Sequence, residues 1–380
     1  MRPHMTNQEA CIILNMLSGI GPARLTALLA FCGEPQEIFL TPEKALASVQ
    51  GISEGMAEKI VHWDKYIDLD HELELTNRGG VTIITREDED YPELLKQIHD
   101  PPICLYVRGK MPEELSRRSL AVVGTRNVTT YGQRMAKHLS EAAAYSSFVV
   151  VSGLAFGVDA IAHRAALDAG GETVSVLGGG LARIQPQDHV PLAREIAQHG
   201  AVISEFPMET NPTRHTFPMR NRIISGLSRG TLVVEAGLNS GSLITANYAM
   251  EQGRTVFAVP GQADNPQAAG CNRLIRQNAV LTETFDDILE EFDFLPGLGR
   301  HENMLREEDA STSFLDGDGE DGSISSEAAK ILDFLQKRDA SVDELSAALD
   351  CPAAEISASL IGLELLRRVK KDGLNYHRIR

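Results

Sequence analysis

Leu-Ala-Val-Val-Gly-Thr-Arg, residues 120–126, sets the pattern of this chain: a short apolar run ends in glycine and opens toward a helix. The same event recurs three times. It is seen in Val-Val-Val-Ser-Gly-Leu-Ala-Phe-Gly-Val-Asp (Val149 to Asp159), in Val-Ser-Val-Leu-Gly-Gly-Gly (Val174 to Gly180) and in Thr-Leu-Val-Val-Glu-Ala-Gly-Leu-Asn-Ser-Gly-Ser (Thr231 to Ser242). Short apolar runs bounded by glycine read as strands buried on both faces, and the dozen or more residues between them have the length of crossover helices. The fold class predicted is therefore α/β, a doubly wound, mostly parallel sheet. In such sheets ligands gather beyond the carboxyl ends of the strands, where glycine admits close backbone approach and helix N-termini offer free N–H groups. Four such ends predict one shared anion-binding rim.

Outward from these runs, helices are predicted at Tyr131–Tyr145, Val158–Ala169, Val190–His199, Arg220–Leu227 and Ser242–Gln252, and further strands at Ala201–Ser204 and Thr255–Val259. The interval Phe206–Phe217, bounded by Pro207, Pro212 and Pro218, reads as a loop over the sheet edge. Upstream, Val81–Thr85 and Ile103–Val107 read as strands, with Asp90-Tyr91-Pro92-Glu93 opening a helix between them.

Residues 1–75 read as a small all-α domain with a weak internal repeat, in which the turn around Gly19-Ile20-Gly21 is echoed by Gly51-Ile52-Ser53. Each turn joins two helices, a helix-hairpin-helix pattern whose N–H groups can meet a phosphate; the competing reading is glycine used for packing alone, with Trp63 in the core. Residues 76–291 hold the sheet. Residues 292–322 are an acidic, low-hydrophobicity linker, the composition of a disordered segment. Residues 323–380 read as three helices, with Ser341 to Glu344 as a capping box and Pro352 opening the third, followed by an Asp372-Gly373 hairpin: a winged-helix pattern.

Bulk properties bound the function. The 380 residues suffice for two or three domains, and no apolar run is long enough for a membrane helix. The start Met-Arg-Pro-His has no secretory h-region, and five scattered cysteines form no CxxC, so reduced thiols in the cytoplasm are expected. The net charge of −17 is unevenly placed: residues 119–282 carry 13 Lys and Arg against 11 Asp and Glu, while 283–322 carry 14 acidic residues against Arg300 and Arg306. The rim itself is not acidic, and binding to nucleic acid stays open.

Four constellations carry the chemistry expected there. Gly124, Thr125 and Arg126 put a turn, a hydroxyl and a planar guanidinium at a strand end. Ser152, Gly153 and Gly157 repeat that geometry, with Asp159 in a helix first turn and His163 one turn on, a packing or ligand histidine. Phe217, Arg220, Asn221 and Arg222 combine cations with an aromatic face, the means by which single strands are held with little sequence preference; the alternative is a helix start with solvated arginines. Ser240, Gly241 and Ser242 complete the set, with Ser242 as a helix cap and its neighbours as N–H donors. No GxSxG, P-loop or HExxH occurs, no cluster calls for a metal or cofactor, and Cys271 has no histidine partner. Binding is favoured over catalysis.

Taken in order, Gly124-Thr-Arg126, Ser152-Gly-x-Ala-x-Gly-x-Asp159, Phe217-Pro-x-Arg-Asn-Arg222, Ser240-Gly-Ser-Leu-Ile-Thr245 and Phe257-Ala-Val-Pro-Gly261 resemble the DNA-processing protein A (DprA/Smf) family over essentially the whole chain. The resemblance implies a sterile-alpha-motif-like N-terminal domain, an extended Rossmann domain and a winged helix. It further implies a cytoplasmic protein of natural transformation that binds and protects incoming single-stranded DNA, helps load a RecA-type recombinase, pairs as a homodimer through the Rossmann domain, and has no enzymatic activity. Three positions depart from the family pattern: Thr125 where serine is common, Gln185-Pro186 with His189 where Tyr-Pro and Asn are frequent, and Asn278-Ala279 in place of Gly-Ala. A rival of another class is the lysine-decarboxylase-like group of nucleotide-cleaving Rossmann enzymes, with Glu235 as catalytic carboxylate; this chain lacks that group's Pro-Gly-Gly-x-Gly-Thr loop.

Overall fold

The computed structural model describes residues 5–292, 326–335, 340–349, 369–372 and 375–378, with single positions at 338, 351, 356 and 360. It divides into two compact units, Met1–Asn303 and Met304–Arg380. Of the predicted disordered segment 292–322, residues 293–322 lie outside the described residues.

The first unit is built on nine strands: β1 (Val81–Thr85), β2 (Cys104–Gly109), β3 (Ser119–Val123), β4 (Val149–Ser152), β5 (Thr173–Val176), β6 (Gly200–Ser204), β7 (Gly230–Val233), β8 (Thr255–Ala258) and β9 (Val280–Leu281). Their order is β1-β2-β6-β5-β4-β3-β7-β8-β9. All pairings from β6 through β9 are parallel, while β1 and β2 run antiparallel at one edge. From β3 the chain first winds outward through β4, β5 and β6, then returns to the other side of β3 for β7, β8 and β9. The sheet therefore reverses direction of progress at β3, and a crevice is expected beyond its carboxyl end.

Alternation within the strands fixes which layer each residue enters. Leu120 and Val122 of β3 join a cluster with Ala136, Leu139 and Ala162 from the helices Thr130–Tyr145 and Val158–Asp168. Ala121 and Val123 join the opposite cluster with Ile223, Ala246 and Leu274, from helices Thr216–Gly226, Ser242–Glu251 and Ala269–Arg276. Both faces are covered, as a parallel sheet requires. The N-terminal helices do not keep a core to themselves: Ile12, Leu28, Ile60 and Trp63 form one hydrophobic cluster with Ile83, Cys104 and Tyr106 of the antiparallel edge. Those edge strands would otherwise expose an apolar face.

Two local expectations change. The loop before the predicted helix Arg220–Leu227 ends earlier, since Thr216, Phe217 and Pro218 already belong to the helix Thr216–Gly226. Proline is accommodated there because first-turn N–H groups have no intrahelical partner. Phe292 closes the helix Asp286–Phe292 and is 2 % exposed, stacked 5.7 Å from Phe148 and set edge-on at 5.7 Å to Phe257, so the folded unit extends one residue further than predicted. Asn278, where the family pattern has glycine, adopts φ +70°, a left-handed conformation that asparagine tolerates.

In the second unit, β10 (Ala340–Ser341), β11 (Val369–Asp372) and β12 (Asn375–Arg378) form an antiparallel sheet in the order β10-β12-β11, beside helices Ser326–Leu335 and Val342–Leu349. The capping box is present: Ser341 N–H donates to Glu344 Oε2 at 3.0 Å, and Glu344 N–H to Ser341 Oγ at 3.3 Å. Of the third predicted helix only Ile356 and Leu360 are described, both buried.

Phe292→Ala should lower unfolding free energy of the first unit by about 3–5 kcal/mol, the range for emptying a buried aromatic site. Urea unfolding followed by near-UV circular dichroism measures this, and an unchanged midpoint would show that the unit ends before Phe292.

Candidate nucleic-acid interface

The crevice expected at the reversal point exists. A cavity of about 300 Å³ opens where the segments following β3, β4 and β7 meet the helix Thr216–Gly226. Gly124 and Arg126 reach it from β3, Ala155 and Asp159 from β4, Phe217, Arg220 and Asn221 from the helix, and Ser240, Gly241 and Ser242 from β7. A second cavity of about 190 Å³ adjoins it, sharing Arg126, Ala155, Phe217 and Arg220 and adding Gly153, Phe156 and Gln185-Pro186. The shared residues stand between the two as a common wall.

Arg220 anchors that wall. Its Nη1 donates to Gly153 O at 2.6 Å and to Val176 O, and its Nε to Asn221 Oδ1 at 3.0 Å. Burial lowers its pKa to about 10, with Asp159 opposing the shift and Arg126 adding to it, so the guanidinium stays charged at neutral pH. Asp159 is its counter-charge; its carboxylate accepts from Gly153 N–H at 3.2 Å and Ala155 N–H at 3.4 Å. Burial raises the Asp159 pKa, and Arg220 and those two N–H groups work against that rise. Only glycine fits at 153, because a Cβ there would lie 2.4 Å from Arg220 Cζ.

Phe217 stands three residues before Arg220, on the same face of the helix. Gly178 packs against its ring, where a Cβ would approach Cδ1 to 2.9 Å. The exposed Arg126 guanidinium sits 5.5 Å from the ring centroid, a cation–π contact. Arg126 forms no salt bridge with a carboxylate among the described residues; Asp159 feels its field across the cavity that both line.

Four expected contributors lie elsewhere. Arg222 is two residues from Arg220 and points away. It is 4 % exposed, with Nε on Asp100 at 2.9 Å and Nη2 on Glu205 at 2.7 Å, and it lines a separate cavity beneath the N-terminal helices. Ser152 is fully buried and donates to Val122 O at 2.6 Å. Thr125 uses its N–H on Glu235 O at 2.7 Å and its hydroxyl on Asn127 N–H, outside both cavities. Gly157, at φ +80°, is a close-packing glycine, with a Cβ only 2.3 Å from Thr125 O. In the loop before it, the N–H groups of Gly153 and Ala155 serve Asp159. Nor does Ser242 cap its helix; Gly241 holds that position without a side-chain bond, and Ser242 Oγ pairs with Ser240 Oγ at 2.8 Å.

The open readings resolve in the same way. Glu235 is 2 % exposed and both carboxylate oxygens accept from Thr129, Oε1 from the hydroxyl at 2.7 Å and Oε2 from N–H at 2.8 Å. It braces the start of the helix Thr130–Tyr145. His163 is fully buried with Nδ1 2.7 Å from Thr173 Oγ1. The Cys271 thiol is pushed up to about 12 by burial, which removes nucleophilic character at neutral pH. In the N-terminal repeat, Arg24 bridges the carbonyls of both glycine turns, with Nε on Gly51 O at 2.9 Å and Nη1 on Gly19 O. Sequence reasoning passed over Phe156, 47 % exposed at the cavity mouth, and Ile244, 38 % exposed; an aromatic isolated between Ala155 and Gly157 was the available signal.

The family model of DNA recombination-mediator protein A matches residues 82–293, which hold both cavities. The chain belongs to this family. The DprA winged helix domain matches residues 320–372, so the second unit is a winged helix. Protein Smf of Synechocystis sp. is 34% identical over 98% of this chain and 100% of its own length. The X-ray structure of DNA processing protein A from Streptococcus pneumoniae superposes with a TM-score of 0.66 at 32% identity, covering 76% of this chain and 99% of that one. DNA processing protein A from Helicobacter pylori, whose structure is described as showing a single-stranded DNA binding mode, gives a TM-score of 0.50 at 28% identity over 56% of this chain and 95% of that one.

Two measurements check the placements. Arg222→Ala leaves Glu205 buried without its partner and should cost about 3–5 kcal/mol of stability, whereas Arg126→Ala should leave the melting temperature unchanged; equal melting of both variants would refute the assignment of Arg222 to the interior. Burial lowers the His163 pKa from 6.5 to about 3, so between those values the unfolded chain binds a proton that the folded chain refuses. Stability from this group is present above about pH 6.5 and is lost as pH falls. His163→Gln should therefore flatten the decline in unfolding midpoint between neutral and mildly acid pH; an unaltered decline would contradict it.

Proposed function

We propose that this chain binds single-stranded DNA in the paired cavities at the sheet's reversal point. It acts there as a recombination mediator of natural transformation, protecting the strand and assisting its transfer to a RecA-type recombinase. The observation that carries this reading is the grouping of Arg126, Phe217 and Arg220 in one wall. A cation for the phosphate stands against an aromatic face for the base, and flanking glycines permit close approach of a strand. A duplex keeps its base faces stacked inside and cannot use the aromatic surface, so the arrangement favours an unpaired strand. The single-stranded binding named for the Helicobacter pylori relative supports the same ligand.

Binding without catalysis fits the side chains. Asp159 lines the first cavity but is engaged by Arg220 and two N–H groups, and Glu235 spends both carboxylate oxygens bracing a helix start away from the cavity lining. The nucleotide-cleaving alternative therefore loses its proposed catalytic residue. Free cysteines throughout, and the absence among the described residues of any helix long and apolar enough to cross a membrane, accord with a cytoplasmic setting. Pairing of two copies through the sheet-bearing unit belongs to the same reading.

Fluorescence anisotropy with a labelled oligothymidine and its duplex counterpart tests the proposal. The single strand should bind more tightly, and Arg126→Ala should weaken it about tenfold or more at low salt, with the salt slope reduced by about 0.7. Glu235→Gln in a nucleotide-cleavage assay serves as the contrast. Preferential duplex binding, or turnover abolished by Glu235→Gln, would overturn the reading.

A further inference from the structure

The cavity that adds Phe156 and Gln185-Pro186 does not end there. Gln185 also lines a larger groove of about 700 Å³, walled by Arg108, Arg183, Arg194, Gln187 and Asn211. Three arginines enter it from three elements: Arg108 from β2, Arg183 from the segment after β5, and Arg194 from the helix Val190–Ile196. The walls are pinned. Arg183 N–H donates to Gly180 O at 2.8 Å, Ala182 N–H to Met208 O at 3.0 Å, and Arg108 Nε to Gly79 O at 3.0 Å.

Charge in the groove is one-sided. Arg183 pairs with Glu209 at 2.9 Å, and Glu209 also lies 3.5 Å from His71. The nearby Glu195 is taken by Arg164 at 2.6 Å. Arg108 and Arg194 have no carboxylate partner among the described residues. Consistent with this, the Arg108 pKa is lowered by burial and then by the like charge of Arg194. Two cations held near one another without a counter-ion, among amide side chains, form a seat for anionic oxygens.

We infer that the strand held at the reversal point runs on past Phe156 and Gln185-Pro186 into this groove, where Arg183 and Arg194, backed by Arg108, hold its phosphodiester backbone. The inference rests on the single-strand reading of the first two cavities and lengthens that site. Phe156, exposed at the junction and 4.8 Å from the His189 ring, supplies an aromatic face along the path. His189 is itself fixed, with Nδ1 2.8 Å from Leu154 O.

The test compares oligothymidines of about six and about twenty nucleotides, lengths bracketing one binding groove. The full-length wild type, an Arg183→Gln/Arg194→Gln double variant and Arg194→Lys are titrated over a salt series. Both arginines are exposed, so the fold should survive, and thermal melting verifies it. The double variant should keep wild-type affinity for the short strand, bind the long one about tenfold or more weakly at low salt, and lose about 1.4 from its salt slope. Arg194→Lys should keep the wild-type slope. A double variant that binds the long strand with wild-type affinity and slope overturns the inference. So does one that weakens both lengths equally. Failure of the wild type to bind either length would instead strike the single-strand reading itself. Should the double variant not fold, Arg194→Gln alone decides, with a slope loss of about 0.7 for the long strand only.

Discussion

The geometry of the site depends on one buried cation. Arg220 reaches from its helix to the carboxyl edge of the sheet and donates to carbonyls at the ends of β4 and β5. A guanidinium without a carboxylate in direct contact would be costly to bury, and three features lower that cost. Two carbonyl acceptors and Asn221 take its hydrogens, Asp159 supplies opposite charge, and Gly153 leaves room for the planar group. Asp159 is in turn held by Gly153 and Ala155 N–H. The loop after β4, the helix and the strand ends thus share one network. Phe217, one turn back on the same helix face, inherits its orientation from that network.

Once Phe217 is fixed, Arg126 has a ring to lie against while its charge stays exposed. The division of labour is physical. Arg220 and Arg222 are interior arginines of the same helix, one bracing the sheet edge and the other joining Glu205 and Asp100 beneath the N-terminal helices. Arg126 is the cation left to meet a ligand. In the proposed binding mode, an aromatic face and a phosphate contact tolerate any base. The chain's overall negative charge does not oppose this, because 14 acidic residues fall in 283–322, outside the segment that builds the cavities.

The fold was largely legible because its signals are local. Val81–Thr85 is a strand with the bounds its sequence implies, and the four glycine-ended runs all become parallel strands, three of whose ends open on one cavity. The antiparallel edge was not readable, since pairing partners are set by long-range packing against the N-terminal helices. The site was half legible. Residue type pointed to Arg126, Phe217 and Arg220, but Arg222 was assigned to the same channel although residues two apart on a helix do not share a face. Its partners, Asp100 and Glu205, lie 122 and 17 residues away in sequence. Ser152 and Gly157 carry the right chemistry at a strand end, yet Ser152 Oγ donates to a backbone carbonyl at 2.6 Å and a Cβ at 157 would come within 2.3 Å of another, so both close the packing. The role of Glu235 is set by Thr129, 106 residues away in sequence.

Photo-crosslinking of the full-length chain to an oligonucleotide carrying 5-iododeoxyuridine tests the central claim most directly, because this base couples to an aromatic ring on which it stacks. A strand seated at the reversal point should give adducts on Phe217 and Phe156, suppressed by unlabelled single strand. Adducts confined to residues 326–378, with neither phenylalanine labelled, would place the strand on the winged helix and contradict the account.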